Sequence, residues 1–232
     1  MRSHVVEFLD GYLNARGNAG SELVLQDDFA LVRYRVPMGR RAELFYWGSG
    51  RRALPLEPGM WLTVLGEKAA ASLPPLPATM SLLVEETLME ADLPLQARTA
   101  GDAGVTEIQG PDAAASFNEA GLFALIPAEE ADRNQARFFQ ADWQGEPAAA
   151  SRYGRSGTDL VVVDQVLTLP AHRRRGLAET LMAAMADRAA RNGASRMMLI
   201  SSQQGRRLYE RVGFRVLAPV LVYQDDGTPG GG

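Results

Sequence analysis

The stretch VLTLPAHRRRGLAET, residues 166–180, decides how this chain is read. It closes a strongly β-branched run, DLVVVDQVLTLP (159–170), that Pro170 stops. After Gly176 the apolar period changes. Leu177, Leu181, Met182, Met185 and Ala189 fall on one helical stripe, with Glu179, Asp187, Arg188 and Arg191 off it. The order is strand, proline, Arg173-x-x-Gly176-x-Ala178, helix. Backbone N–H groups at a helix start lack partners, and the helix dipole is positive there. A glycine lets the turn approach a ligand closely, and an arginine rim adds charge-assisted hydrogen bonds. Such a corner suits a phosphate or pyrophosphate. It is neither G-x-x-x-x-G-K-[ST] nor G-x-G-x-x-G, which excludes a P-loop and a Rossmann dinucleotide turn.

Downstream, RMMLI (196–200) reads as a short buried strand and GRRLYERV (205–212) as a short helix. Gly213 sits where a C′ glycine belongs, and Phe214 can make the accompanying hydrophobic contact. FRVLAPVLVY (214–223) closes as a strand. Upstream, VTEIQ (105–109) reads as a strand and PDAAASFNEAG (111–121) as a short helix ended by Gly121. ARFFQADW (136–143), the turn QGEP and AAASRYG (148–154) read as a hairpin. In the first hundred residues FALVRYRV (29–36) and AELFYWG (42–48) flank PMGRR as another hairpin, and MWLTVLG (60–66) is a third strand. SLPPLPA (72–78) has three prolines and excludes a helix interior. SLLVEETLME (81–90) fits strand and helix equally. This divides the chain into a β-rich N-terminal lobe (1–98), a second domain (99–224) and a disordered tail (225–232), with the boundary in a connection at about 92–104.

At 232 residues, 46% hydrophobic and 22% charged, the chain has the composition of a soluble globular protein with a substantial core. No apolar run approaches a membrane span, and Glu7 and Asp10 interrupt any signal-peptide core, so a cytoplasmic location is expected. The absence of cysteine excludes disulfides, thiolate metal sites and a cysteine nucleophile; two histidines, His4 and His172, make no metal cluster. Residues 1–170 carry 14 Arg/Lys against 23 Asp/Glu, whereas residues 171–215 carry 10 Arg against 3 acidic residues. A basic segment inside an acidic chain favours a local anionic ligand over nucleic acid. Trp47, Trp61 and Trp143 read as packing residues first and as the lining of a pocket second, and Met182, Met185, Met197 and Met198 as core filler.

The segment Val166–Ala178 resembles the signature of the GCN5-related N-acetyltransferase (GNAT) superfamily, (Arg/Gln)-x-x-Gly-x-(Gly/Ala) after a strand and opening a helix. Leu208-Tyr209-Glu210-Arg211-Val212-Gly213-Phe214 matches the family's downstream pattern, a short helix ending Leu-Tyr-x-x-x-Gly-Phe before a strand. The resemblance covers about residues 105–223. It implies an α/β (α+β) fold: a mixed, mostly antiparallel sheet flanked by helices, here with an additional β-rich N-terminal lobe. That lobe reads as a degenerate second GNAT-like lobe, as in tandem members, or as an unrelated cap. Two positions depart from the family's habit: Ser202 stands where asparagine is common, and Gly205 where alanine is common.

The resemblance implies acetyl-CoA as co-substrate and no metal. The amides of Arg174, Arg175, Gly176, Leu177 and Ala178 would bind the pyrophosphate, with Arg173 on the rim. Leu167, Thr168 and Leu169 would pair with the pantetheine arm, and Ser202 would offer one hydrogen bond. Tyr209 holds the position of the family's general acid; the other reading is a core tyrosine. A primary amine near pKa ~10 is mostly protonated at neutral pH, so a base is wanted. Asp164, four residues before Thr168 and so on its face of a regular strand, is the first candidate and Asp159 the second. The expected function is transfer of an acetyl group to a small-molecule or peptide amine. The alternative is a GNAT-fold module that binds or senses acyl-CoA without turnover. A nucleic-acid contact by Arg173–Arg175 is a third reading, disfavoured by the acidic remainder. A homodimer is a form that relatives often take.

Overall fold

The computed structural model describes residues 1–37, 39–50, 53–101, 103–119, 126 and 135–225. The N-terminal part runs α1 (Arg2–Ala15), β1 (Glu22–Leu25), β2 (Phe29–Arg33), β3 (Ala42–Tyr46), β4 (Trp61–Leu65), α2 (Glu67–Ala71) and β5 (Met80–Asp92). Then follow β6 (Ala103–Ile108), α3 (Gly110–Glu119), β7 (Ala136–Trp143), β8 (Glu146–Ser156) and β9 (Leu160–Thr168). A short 3₁₀ turn (Pro170–His172), α4 (Leu177–Arg191), β10 (Arg196–Ser202), α5 (Gln203–Arg211) and β11 (Arg215–Asp225) complete the chain.

Among the described residues one mixed sheet of 11 strands runs β1-β2-β3-β4-β11-β5-β10-β9-β8-β7-β6. Its β3–β4 and β9–β10 pairs are parallel and the rest antiparallel. This is the mixed, mostly antiparallel sheet with flanking helices expected from the sequence. The expected elements of residues 136–223 form, including the β7–β8 hairpin, whose turn residues Gln144 and Gly145 both have positive φ, 55° and 86°. The expected helix end at Gly121 lies outside the described residues.

SLLVEETLME becomes part of β5. Residues 87–91 of β5 are buried without alternation, because the strand is central and covered on both faces. β5 precedes the boundary drawn at 98/99, yet it lies between β10 and β11. The helix α1 also crosses that boundary and packs on β8 and β9. Its contact is backbone-close: a Cβ on Gly154 would lie 2.1 Å from the Gly11 carbonyl oxygen and 2.2 Å from the Ala15 nitrogen. Arg196 of β10 adds ion pairs to Glu7, Glu90 and Asp159 at 3.0–3.3 Å, tying α1, β5 and β9 together. Asp225, placed by the sequence in a disordered tail, instead ends β11 and accepts from the Gly59 N–H at 2.6 Å, and residues 226–232 lie outside the described part.

The sheet has a core on each face. On one, Phe8 and Leu9 of α1 pack with Leu88, Val162, Met198 and Val220. On the other, Leu177, Leu181, Met182 and Met185 of α4 pack with Met89, Val163 and Leu199. No helix among the described residues is long and apolar enough to cross a membrane.

Candidate functional site

The basic corner is built from backbone conformation. Arg174 and Gly176 are both left-handed, with φ 62° and 80°, on either side of Arg175. Alternating conformations of this kind make successive N–H groups converge, the geometry of an anion nest. The first helical bond of α4 runs from the Thr180 N–H to the Gly176 carbonyl at 2.9 Å, so the N–H groups of Leu177, Ala178 and Glu179 have no helical acceptor. Gly176 is set by its φ and not by crowding: an added Cβ would meet only Ala100, at 3.6 Å. Two of the three arginines turn back onto the protein. Arg173 Nε donates to the Thr168 carbonyl at 3.4 Å, and the Arg175 guanidinium stacks over Trp143 at 5.1 Å.

Beside this corner the sheet splits. Parallel pairing of β9 with β10 covers Leu160–Val163 against Arg196–Leu199 and stops there. Beyond it β9 stays with β8, and β10 stays with β5 as far as Ser202 opposite Glu86. The split begins at a bulge: Ala150 faces Leu167 but Arg152 faces Asp164, so β9 carries an extra residue, and Gln165 there has φ 55°. A bulge bends its strand and leaves backbone groups unpaired. It also breaks the two-residue alternation that placed Asp164 and Thr168 on one face.

The bulge corrects the expectation that Leu167 to Leu169 act alike. The Leu169 N–H donates to the Ala148 carbonyl at 2.9 Å and its carbonyl accepts from the His172 N–H, so both groups are committed. Leu167 lines the cavity in the gap, and the Thr168 carbonyl accepts from Arg173 Nε.

A cavity of about 580 Å³ occupies the gap and is lined from both faces of the sheet. On the α4 side it meets Ala178, Leu208, Gly205 and Tyr209. Tyr209 is buried, and its ring is held edge-on against Phe214 at 5.7 Å. Burial, helped by the charge of Asp164, pushes its phenol up to about 12. The hydroxyl has no hydrogen-bond partner among the described residues. Gly205 has a local reason: a Cβ there would lie 3.1 Å from both the Ser201 hydroxyl and the Tyr209 ring. Ser202 caps α5, accepting from the Gly205 N–H at 3.2 Å, which leaves its own O–H free to donate.

On the α1 side stand charges that sequence reasoning did not select. Asp164 lies between two arginines, receiving Arg16 at 2.8 Å and Arg152 at 2.7 Å. Burial alone would raise its carboxyl, but the two guanidiniums outweigh burial and hold it below the usual range. It therefore stays ionised and is a poor proton acceptor. Asp159, the second candidate, pairs with Arg196 at 3.1 Å and is absent from the cavity wall. Glu86 lines the cavity and has no hydrogen bond or ion pair among the described residues. Burial pushes its carboxyl above the usual range; Arg16 opposes that, while Glu43 and Asp164 add to it.

Farther along the same wall, Arg40 Nε and the Tyr34 hydroxyl donate to Glu43 at 2.6 and 2.5 Å, and Thr63 donates to its other oxygen. Arg40 also stacks over Trp61 at 4.1 Å, and this tryptophan lines the cavity, the second of the two readings its sequence allowed. Arg16, Arg40, Trp61 and Glu86 all come from residues 1–98. The signal that could have found Glu86 is an acidic pair, Glu85-Glu86, inside an apolar run. No group of three or more metal-ligating acidic, histidine or cysteine side chains occurs among the described residues.

Residues 103–214 match the family model described as Acetyltransferase (GNAT) family. No curated protein matches the chain. Among solved structures, a GCN5-related N-acetyltransferase from Kribbella flavida superposes with TM-score 0.69 at 14% identity, covering 99% of this chain and 96% of that one. One from Sphaerobacter thermophilus gives 0.58 at 14%, covering 93% and 85%. A tandem GNAT protein from the clavulanic acid biosynthesis pathway gives 0.54 at 13%, covering 88% and 80%. The shared fold thus extends over the N-terminal lobe as well as the matched domain.

Proposed function

We propose, from the match of residues 103–214 to the acetyltransferase (GNAT) family model, that the protein transfers an acetyl group from acetyl-CoA to a primary amine. The observation that carries this reading is that the left-handed Arg174–Gly176 nest opens the helix whose Ala178 lines the cavity in the β9–β10 split. Unpartnered amides suit a pyrophosphate, and an opened strand pair suits a slender arm lying between its edges. The inward engagement of Arg173 and Arg175 favours a seated anion over a polymer surface.

In this reading Arg174–Ala178 hold the pyrophosphate through backbone N–H groups, and the end of β9 at Leu167 and Thr168 supplies the backbone pairing. Tyr209 donates to the sulfur as it leaves. Glu86, not Asp164, accepts the proton of the attacking amine, because Glu86 alone of the two carboxylates is unpaired and raised. The two act from opposite faces: Glu86 shares a face with Leu88 and α1, and Tyr209 packs with α4. The amine nitrogen loses one proton and the leaving sulfur gains one. Two such groups favour turnover over mere binding of acyl-CoA. Residues 1–98 then supply the acceptor wall of the domain that holds the cofactor.

Calorimetry with acetyl-CoA on wild type and Gly176→Trp tests the cradle. Micromolar binding that the variant loses is expected; no binding by wild type would sink the transferase reading. A pH–rate profile tests Glu86. It works ionised, so kcat/KM should rise as pH climbs through its raised pKa. Glu86→Gln should remove that limb and lower kcat/KM about 100-fold, while the acceptor's own titration near ~10 persists in both proteins. An unchanged lower limb would transfer the base role elsewhere.

A further inference from the structure

We propose that the acceptor is a free amino acid with an apolar side chain, its carboxylate held by Arg16 and its amine by Glu86; this rests on the transferase reading above. The argument is one of unmatched charge. Asp164 is shared by two guanidiniums, Arg16 and Arg152, so this trio carries one positive charge more than it neutralises. Arg152 is spent on Asp164 through both Nε and Nη2, at 2.9 and 2.7 Å. Arg16 gives Asp164 only Nη2, and its Nε is buried without a partner. The excess charge therefore sits on Arg16, which lines the cavity. Arg40 and Glu43 also line it but cancel each other. Glu86 is left as the unmatched negative charge.

The cavity thus holds one guanidinium with charge in excess of its ion pair, Arg16, and one carboxylate without an ion-pair partner, Glu86, which act on each other across it. Arg16 reaches it from the end of α1, above β9, and Glu86 from β5. The split that receives the thioester lies between β9 and β10, and β5 is the next strand. A primary amine alone would satisfy Glu86 and leave Arg16 uncompensated; a carboxylate alone would do the reverse. A molecule bearing both groups satisfies each, and charge-assisted pairs in a partly dry site discriminate strongly. Phe8, Phe45, Val84 and Val222 supply the apolar wall between and beyond them. The Tyr12 and Trp61 ring faces are covered by Arg16 and Arg40, so aromatic capture of a bare cation is already taken.

Three matched probes test this: L-phenylalanine, phenethylamine, which lacks the carboxylate, and hydrocinnamate, which lacks the amine. Binding of each is measured by calorimetry with CoA present, and acetyl transfer to the two amines by kcat/KM. L-Phenylalanine should bind at least tenfold more tightly than either fragment and should be the better acceptor. Arg16→Gln should abolish the preference, so that L-phenylalanine binds no more tightly than phenethylamine. Arg16→Lys, which keeps the charge and the ion pair with Asp164, should retain the preference and controls for misfolding. If phenethylamine equals or exceeds L-phenylalanine while acetyl-CoA binds and transfer proceeds, the amino-acid assignment is overturned and the transferase reading stands. If acetyl-CoA does not bind wild type, both fall.

Discussion

Tyr209→Phe should lower kcat by about two to three orders of magnitude and leave acetyl-CoA affinity within about threefold. The ring is a structural piece that phenylalanine reproduces. It packs edge-on to Phe214, and the Tyr209 carbonyl accepts from the Phe214 N–H at 2.9 Å in the turn that ends α5. Only the hydroxyl is lost, and among the described residues nothing depends on it. In the cavity that hydroxyl is a proton donor whose pKa of about 12 keeps it protonated throughout the neutral range. A leaving thiolate, of pKa about 8.5 by analogy with cysteine, is stabilised by a hydrogen bond from such a phenol. The phenol should therefore show no titration limb of its own below about pH 11. Steady-state kcat, acetyl-CoA calorimetry and the melting temperature check the three parts. A kcat within threefold of wild type, with binding intact, would return Tyr209 to the role of a core tyrosine.

Gly154→Val should lower the melting temperature by on the order of 10 °C, equivalent to about 4 kcal/mol in a chain of this size. The obstruction is backbone against backbone, so no rotamer relieves it: the new Cβ would meet the Gly11 carbonyl oxygen at 2.1 Å and the Ala15 nitrogen at 2.2 Å. Either α1 lifts from β8 or β8 buckles. Lifting α1 exposes Val5, Phe8 and Leu9, each buried to within 1%, at about 1.5–3 kcal/mol per side chain if fully exposed. It also breaks the Asn14 side-chain bond to the Arg155 carbonyl at 2.7 Å and pulls Arg16 from Asp164. Acetyl-CoA binding, which rests on the other side of the split, should survive in the folded fraction, while acceptor KM rises. Thermal denaturation and acceptor kinetics measure this, and a shift under about 3 °C would mean that α1 is not seated on β8.

The two variants mark the limits of what could be read in advance. The corner at Arg173–Ala178 was legible because local chemistry shapes it, whereas Tyr209 was reached only through the family resemblance of Leu208–Phe214. A glycine before a helix, a β-branched run before a proline and a C′ glycine at Gly213 act over a few residues and leave the same trace in any context. Asp164 was misread for the opposite reason. Its proton affinity is set by Arg16, 148 residues away in the chain, and its strand face by a bulge at Gln165 that the alternation of DLVVVDQVLTLP does not announce.

The sequence by itself determined the strand–corner–helix order of the C-terminal part and its resemblance to a known family, since each depends on residue type at short spacing. Tertiary structure alone decided that β5 sits between β10 and β11, that α1 docks on β8 and β9 through Gly11 and Gly154, and that Arg16 and Glu86 face one cavity. The physical reason is the range of the forces. Helix starts and turns are settled by backbone sterics and local hydrogen bonds, whereas strand order and the partners of a buried charge are settled by contacts that form only after distant segments have packed.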